Sequence, residues 1–572
     1  MANNRFSVLL IQSPLPANER HKKVMPLGLG YIAAYLRKQS PEVEIEILDA
    51  QVLNLSYAEI MKRIISKHRD IIGMTYWTAQ APLVYRISKA IKSWNPDVLL
   101  VHGGVHTTSC PEEATQHADF CVLQEGEQTF AELVAAAQHD RNMIKQINGI
   151  AFQEEGKFQR TPARDFIWDL DSIPFPAWDL LPMDCYDTQL HIVGGKRVPV
   201  IGSRGCPYNC TYCVSPLMWQ RKVRWRNPDS VVAEMEEIIT RYQIPQFHFW
   251  DDNLMMNPEY VTQLCEGIIQ KGLKIKWTGL TRAGHITKHH EVLPIMAKSG
   301  CIGMEIGIES ANPITFIEVN KDETLASLEL AGKYQQEVGM HPMFTYMAFN
   351  PGETITGYYL QAQFIDKLLA GEKWYDHFHP LPFPVYIGQF CTAYPGTELY
   401  KEVPKLGLRL INDWSDFYHH KVNFLPNSLL DDVPIKTQDK LDIEHYLFCL
   451  KAVQSGYYDF VPKLDPFWFQ VNKRTRFLRY VTLFFQRCSG KATIREIAKQ
   501  LAVYLRMDEA ESFRFSAACA LILGQIGVIR SALYQQDLNI VARTIPYQDT
   551  FKTRLKIVLL YWLSQLRSVF SE

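Results

Sequence analysis

The chain of 572 residues has little that would tie it to a polyanion, a membrane or an oxidising compartment. Its formal net charge is -1, so no broad basic field draws it to nucleic acid, and no nucleic-acid partner is expected. No window holds eighteen consecutive apolar residues, and no spanning helix is expected. The start, "MANNRFSVLLIQSP", lacks the charged, apolar and small-residue order of a secretion signal. Twelve cysteines in this length do not make a disulfide scaffold. They suit a reducing cytosol, where clustered cysteines bind metal or do chemistry, and the expected localisation is cytoplasmic. Also missing is a G-x-G-x-x-G after the first apolar run, which disfavours a dinucleotide site.

What is present reads as alternating strands and helices. "FSVLLIQSP", "EIEILDA", "DIIGMTYWT", "VLLVHGGVHTT" and "FCVLQEGEQTF" are strand-like runs separated by helical spacing such as "PLGLGYIAAYLRKQ". That order predicts a Rossmann-like, doubly wound parallel sheet over residues 1–150, with ligands bound beyond the carboxyl ends of its strands. Those ends carry Pro14, Thr75, Gly103, Gly104, Val105, Glu125 and Gly126. The glycines either let a bulky ligand approach the backbone or simply form tight turns. A proline-rich linker follows over 151–195. From 196 to 430 about six further strand–helix units predict a closed or partly closed α/β barrel, again with its site at the strand ends. Asp251, Asp252, Arg282, Glu309 and Ser310 fall there. Residues 431–572 read as a mainly helical domain.

The first barrel strand runs into "SRGCPYNCTYC", which places Cys206, Cys210 and Cys213 in a C-x3-C-x2-C pattern. Three thiolates are one short of a closed zinc site, and no histidine or cysteine within ten residues completes it, although His248 is a distant candidate. On a four-iron cluster the same three leave one iron open to an exchangeable ligand. Iron–sulfur chemistry, zinc and inert cysteines all remain open on spacing alone.

The triad with Tyr212 before its last cysteine resembles the signature of the radical S-adenosylmethionine (SAM) superfamily. "FWDDN", "GIES", "NPGET" and "YPGTELY" resemble motifs of members that carry an N-terminal cobalamin (B12)-binding domain. "PLGLGYIAAYL" and "EGEQTF" are similar to parts of that domain. The resemblance implies that Cys206, Cys210 and Cys213 bind a [4Fe-4S] cluster and that SAM chelates the fourth iron. It implies reductive SAM cleavage to a 5'-deoxyadenosyl radical. Glu309, Ser310, Asp251 and Arg282 would hold SAM, and the Rossmann strand ends would hold cobalamin. D-x-H-x-x-G is absent from the first loop, "QSPLPANERHKK", so no histidine of that motif would bind cobalt. His21 and His106 are ring-edge or surface histidines on this reading, and Tyr76 and Trp77 pack near the corrin or in the core.

The expected reaction is methylation of an unactivated carbon or phosphorus of a small molecule, lipid or peptide. Flavodoxin or ferredoxin would be the electron donor. Two alternatives stand beside it: a cyclase or rearranging enzyme of the same superfamily, and a metal-stabilised binding or regulatory protein. His419 and His420 are either near substrate or exposed. "GKATIREIAKQLAVYL" suggests a helical or winged-helix-like unit, weakly similar to peptide-recognition modules. "TRLKIVLLYWLSQLRSVF" either covers that bundle or lies on a membrane surface.

Overall fold

The computed structural model describes residues 5–15, 24–186, 196–311, 315–316, 319–348, 350, 364, 385–405, 408–410, 414, 424–426, 436–437, 494–505, 509, 512 and 529–530. His21, His419, His420, most of "NPGET" and the apolar segment "TRLKIVLLYWLSQLRSVF" lie outside them.

Two sheets carry the fold. The first is built from β1 (Ser7–Gln12), β2 (Glu44–Asp49), β3 (Ile71–Thr75), β4 (Leu99–Gly103) and β5 (Phe120–Val122), all parallel in the order β2-β1-β3-β4-β5. The runs of β1, β3, β4 and β5 are buried on both faces, as a helix-covered parallel sheet requires, while the edge strand β2 is exposed at Glu44 and Glu46. The covering helices are α1 (Leu27–Gln39), α2 (Tyr57–Ile65), α3 (Ala81–Trp94), the short α4 (Val105–Ser109) and α5 (Pro111–Ala114), and α6 (Glu127–His139). A capping box between Ser56 and Glu59 starts α2.

Residues 151–160, expected in the linker, extend this sheet instead. β6 (Ile150–Glu154) and β7 (Lys157–Arg160) form an antiparallel hairpin on the edge of β5. Beyond it the linker is strapped down. Trp178 is buried, the Ala177 N–H bonds the Gly30 carbonyl, and Asp179 pairs with Arg37 through two 3.1 Å bonds. The Tyr186 hydroxyl donates to Asp49 at 2.6 Å.

The second sheet is parallel and six-stranded, in the order β8-β11-β12-β13-β14-β15. These are β8 (Val198–Val200), β11 (Gln246–Phe249), β12 (Lys276–Thr281), β13 (Cys301–Glu309), β14 (Met343–Ala348) and β15 (Val385–Phe390). Between β8 and β11 the chain forms β9 (Ser203–Arg204), α7 (Ser215–Trp219), β10 (Arg224–Trp225) and α8 (Pro228–Tyr242). α9 (Pro258–Gln270), α10 (Ala283–Lys288), α11 (Leu293–Lys298) and α12 (Leu325–Glu337) complete the helical layer. The outer strands β8 and β15 do not pair, so this is the partial barrel expected from the sequence. Asn227 and Asn257 cap α8 and α9 ahead of prolines at the first helical position. Of the C-terminal part, the helix Ile494–Leu505 is described, within the segment read as helical. Among the described residues no helix is long and apolar enough to cross a membrane.

Candidate active site

The cysteine loop follows a turn that only glycine fits. Gly205 has φ +101, and a Cβ there would sit 2.0 Å from the Lys222 carbonyl oxygen. The loop is then fixed from three sides. The Thr211 N–H bonds the Val319 carbonyl at 3.1 Å, and the Leu399 N–H bonds the Thr211 carbonyl at 2.8 Å. The Asn320 side chain bonds the Asn209 carbonyl at 2.8 Å.

Each cysteine sulfur has its own hydrogen-bond donor. The Tyr208 N–H serves Cys206, the Ser215 N–H reaches Cys213 at 3.4 Å, and Arg282 Nη1 lies 3.7 Å from Cys210 Sγ. Burial pushes the Cys206 thiol up to about 11 and raises Cys213 as well. Among the described residues no three His, Cys, Asp or Glu side chains converge tightly enough for a single ion. His248 is buried in the barrel with its Nδ1 2.7 Å from Thr278 Oγ1. Nothing described therefore completes a tetrahedral zinc site. A cubane asks for less convergence, because each thiolate takes a different corner iron. Three part-buried cysteines, each with a donor to its sulfur, fit that group.

Arg282 stacks on the Tyr208 ring at 3.8 Å and bonds the Asp322 carbonyl, which holds its charge against Cys210. Glu309 ends β13 in the left-handed region, φ 62, where the pairing with β14 shifts register. Its Oε1 accepts from the Tyr212 hydroxyl and from Lys321 Nζ, both at 2.9 Å. Among the described residues Oε2 has no protein partner. Asn350 bonds the Glu309 carbonyl at 3.0 Å, and Ser310 next to it is buried. Asp252 accepts from Ser215 at 2.7 Å.

Asp251 departs from expectation. It is 1 % exposed, and its two oxygens accept from the Gly202 N–H at 2.9 Å and the Ser203 hydroxyl at 2.6 Å. Burial raises its pKa to about 6, against those hydrogen bonds. Its carboxylate is used inside the protein, to brace the turn ahead of the cysteine loop.

At the turn that enters this loop lies a cavity of about 450 Å3, walled by the carboxyl ends of the Rossmann strands on one side and by the barrel on the other. Thr75, Gly103, Gly104, Val105, Glu125 and Gly126 line it; Pro14 does not, while its neighbours Gln12 and Leu15 do. The barrel contributes Ser203, Arg204, Gly205, Trp219, Trp250 and Asp252. Gly104, at φ +92, answers the question of its role: a Cβ would strike Thr75 Oγ1 at 2.4 Å, so this residue makes a required turn and also borders the cavity. Trp77 faces the cavity and is 38 % exposed, whereas Tyr76 is core.

His102 is the histidine on the cavity wall, and both its ring nitrogens are engaged, by Tyr76 at 3.0 Å and Ser88 at 2.9 Å. His106 is buried and bonded to Tyr85 and Thr78. Burial depresses the pKa of both, to about 3 for His102 and about 4 for His106. The cavity thus offers glycines, apolar walls and no uncommitted imidazole from the described residues. The glycines and apolar walls fit a flat ring.

Sequence reasoning missed the ion pairs within this wall. Arg204 bonds Glu125 at 2.7 Å and Glu127 at 2.6 Å, and Arg224 bonds Glu125 at 2.7 Å, all of them buried. Paired acids in "EGEQTF" and an arginine in "SRGC" were the available signal.

Comparison with known proteins agrees with both halves. Residues 16–134 match the B12 binding domain and residues 200–356 the Radical SAM superfamily. An uncharacterized methyltransferase of Pyrococcus horikoshii is 32% identical over 397 residues, covering 68% of this chain and 81% of that protein. The anaerobic magnesium-protoporphyrin IX monomethyl ester cyclase of Rubrivivax gelatinosus is 32% identical over 310 residues. That match covers 52% of this chain, which spans 54% of the cyclase's length. Among solved structures, the cobalamin-dependent S-adenosylmethionine radical enzyme OxsB, with aqua-cobalamin and S-adenosylmethionine bound, superposes with a TM-score of 0.61 at 18% identity. It covers 98% of this chain and 84% of that one.

Proposed function

We propose a reaction from the premise that this chain belongs to the radical SAM superfamily members with a B12-binding domain. It is a cobalamin-dependent radical SAM enzyme that methylates an unactivated carbon or phosphorus. The substrate is a small molecule, lipid or peptide, and flavodoxin or ferredoxin supplies the electron in the cytoplasm. The observation that carries this reading is the shared cavity: strand ends of the Rossmann sheet and the turn entering the cysteine loop line one space.

When bound, the cluster with SAM supplies a carbon radical, and cobalamin supplies a transferable methyl group. The chain's residues do the placing. Cys206, Cys210 and Cys213 would hold the cluster. Arg282, stacked on Tyr208, keeps a positive charge beside Cys210. Glu309 Oε2 and Ser310 are the groups proposed to hold SAM, with Lys321 and Tyr212 fixing the carboxylate's orientation. Gly103, Gly104 and Gly126 let a ring approach the backbone. Asp251 is a positioning residue rather than a ligand.

The test is product analysis with methyl-labelled SAM. Label recovered in a product supports methyl transfer. A second reading, ring closure or rearrangement without methyl transfer, is favoured by the likeness to the cyclase. It expects SAM cleavage and an unlabelled product.

A further inference from the structure

We propose that Arg204, Arg224, Glu125 and Glu127 form a positioning clamp that fixes the cysteine loop at a set distance from the cobalamin cavity. This rests on the assignment of those two sites under Proposed function. Arg204 stands two residues before Cys206. Its guanidinium spans both acids of the β5–α6 turn, with Nη1 on Glu125 and Nη2 on Glu127. Gly126, between those acids, lines the cavity. Glu125 is used completely: its second oxygen takes Arg224 Nη1 at 2.7 Å and the Ile167 N–H at 3.0 Å. Arg224 returns a bond to the Ile167 carbonyl at 2.8 Å and lies over the rings of Phe166 and Trp219. Trp219 is itself a cavity wall.

Three segments distant in sequence are thus joined in one charge-balanced, buried knot. They are the cavity turn, the paired strands β9 and β10 that carry Arg204 and Arg224 on either side of the cysteine loop, and the strap at 166–167. A buried ion pair is weak evidence for stability, since desolvation offsets its attraction. Forked guanidinium–carboxylate pairs are directional, however, and they specify geometry. Cluster and cobalamin must each reach one substrate, so the spacing of their sites is what such a knot would set.

The test uses the full chain with Arg204→Lys, which keeps the charge and loses the fork, and with Glu127→Gln, which keeps the size. Hydrogen exchange on cofactor-free protein should show residues 205–213 and 123–128 losing protection together in both variants, while β12 and β13 keep theirs. After loading with iron, sulfide and hydroxocobalamin, pulsed dipolar spectroscopy between Co(II) and the reduced cluster should give one narrow distance in the wild type. In both variants it should give a wider, longer distribution at equal iron and cobalt content. Unchanged exchange and an unchanged narrow distance in both variants would overturn the clamp. So would global loss of protection in both, which would make the knot part of the core and nothing more. If the wild type takes up neither group, the site assignment fails, and the exchange data still decide whether the two segments are tied.

Discussion

Glu309 is held in a conformation that an L residue adopts at a cost of about 1–3 kcal/mol, at the end of a strand, with one carboxylate oxygen committed and the other open. Strain of that kind persists where the surroundings over-determine it, and here Lys321, Tyr212 and Asn350 do so. Glu309→Gln keeps the size and removes the charge. SAM affinity is expected to fall by about tenfold to a hundredfold, because hydrogen bonds to a charged acceptor are worth about 1.5–3 kcal/mol each. Iron content should not change. Calorimetric titration alongside thermal unfolding decides the matter: unchanged affinity with a lowered melting point would make Glu309 an anchor of the barrel only.

Asp49 offers a test by pH. Burial raises its pKa from 3.8 to about 6 against the hydrogen bond from Tyr186. The folded chain therefore holds a proton that the unfolded chain has released between about pH 4 and 6. Stability from this group is complete below that window and is lost as pH rises through it. Asp49→Asn should match the wild type near pH 4 and be more stable at pH 7, by at most about 3 kcal/mol. Parallel unfolding curves across that range would contradict this.

At this scale the cysteine triad was legible because three cysteines in eight residues form a local pattern. Glu125 was legible only as a strand-end residue. Its partners Arg204 and Arg224 lie 79 and 99 positions away, and no local spacing announces such a pair.

The elements were mostly readable, because buried parallel strands carry continuous apolar runs and amphipathic helices carry a 3.6-residue period. The hairpin β6–β7 was lost to the proline-rich segment after it, although its turn left a mark. Glu155 and Gly156 both have positive φ, 49° and 73°, the signature of a two-residue hairpin turn. For a related reason, the aspartate pair after β11 shows its position but not that Asp251 turns inward to Gly202 and Ser203. The loop entry is the element most sensitive to change. Gly205→Ala combines a positive φ with a 2.0 Å clash against backbone, so the turn must move. Reconstituted Gly205→Ala is expected to bind less iron than the wild type, with the Rossmann sheet still folded by circular dichroism. Full iron content would show that the loop tolerates a different entry.

For the whole molecule, the functional statement is one of juxtaposition: two parallel sheets point their carboxyl ends at one cavity, and the turn that enters the cysteine loop, residues 203–205, lies on its barrel side. Fold class and cofactor set follow from the order of motifs, which the sequence displays. The distance between the two sites follows from contacts across the interface, which it does not. Removing one partner of a buried pair typically costs about 3–5 kcal/mol, so the interface should also be where stability and chemistry are most closely joined. The most direct measurement is 5'-deoxyadenosine formed from SAM by anaerobically reconstituted, reduced protein, compared with the Cys206→Ala, Cys210→Ala, Cys213→Ala triple variant. The wild type should form it and the triple variant should not. An equal rate in both would contradict the assignment of the cysteine loop as the centre of the reaction.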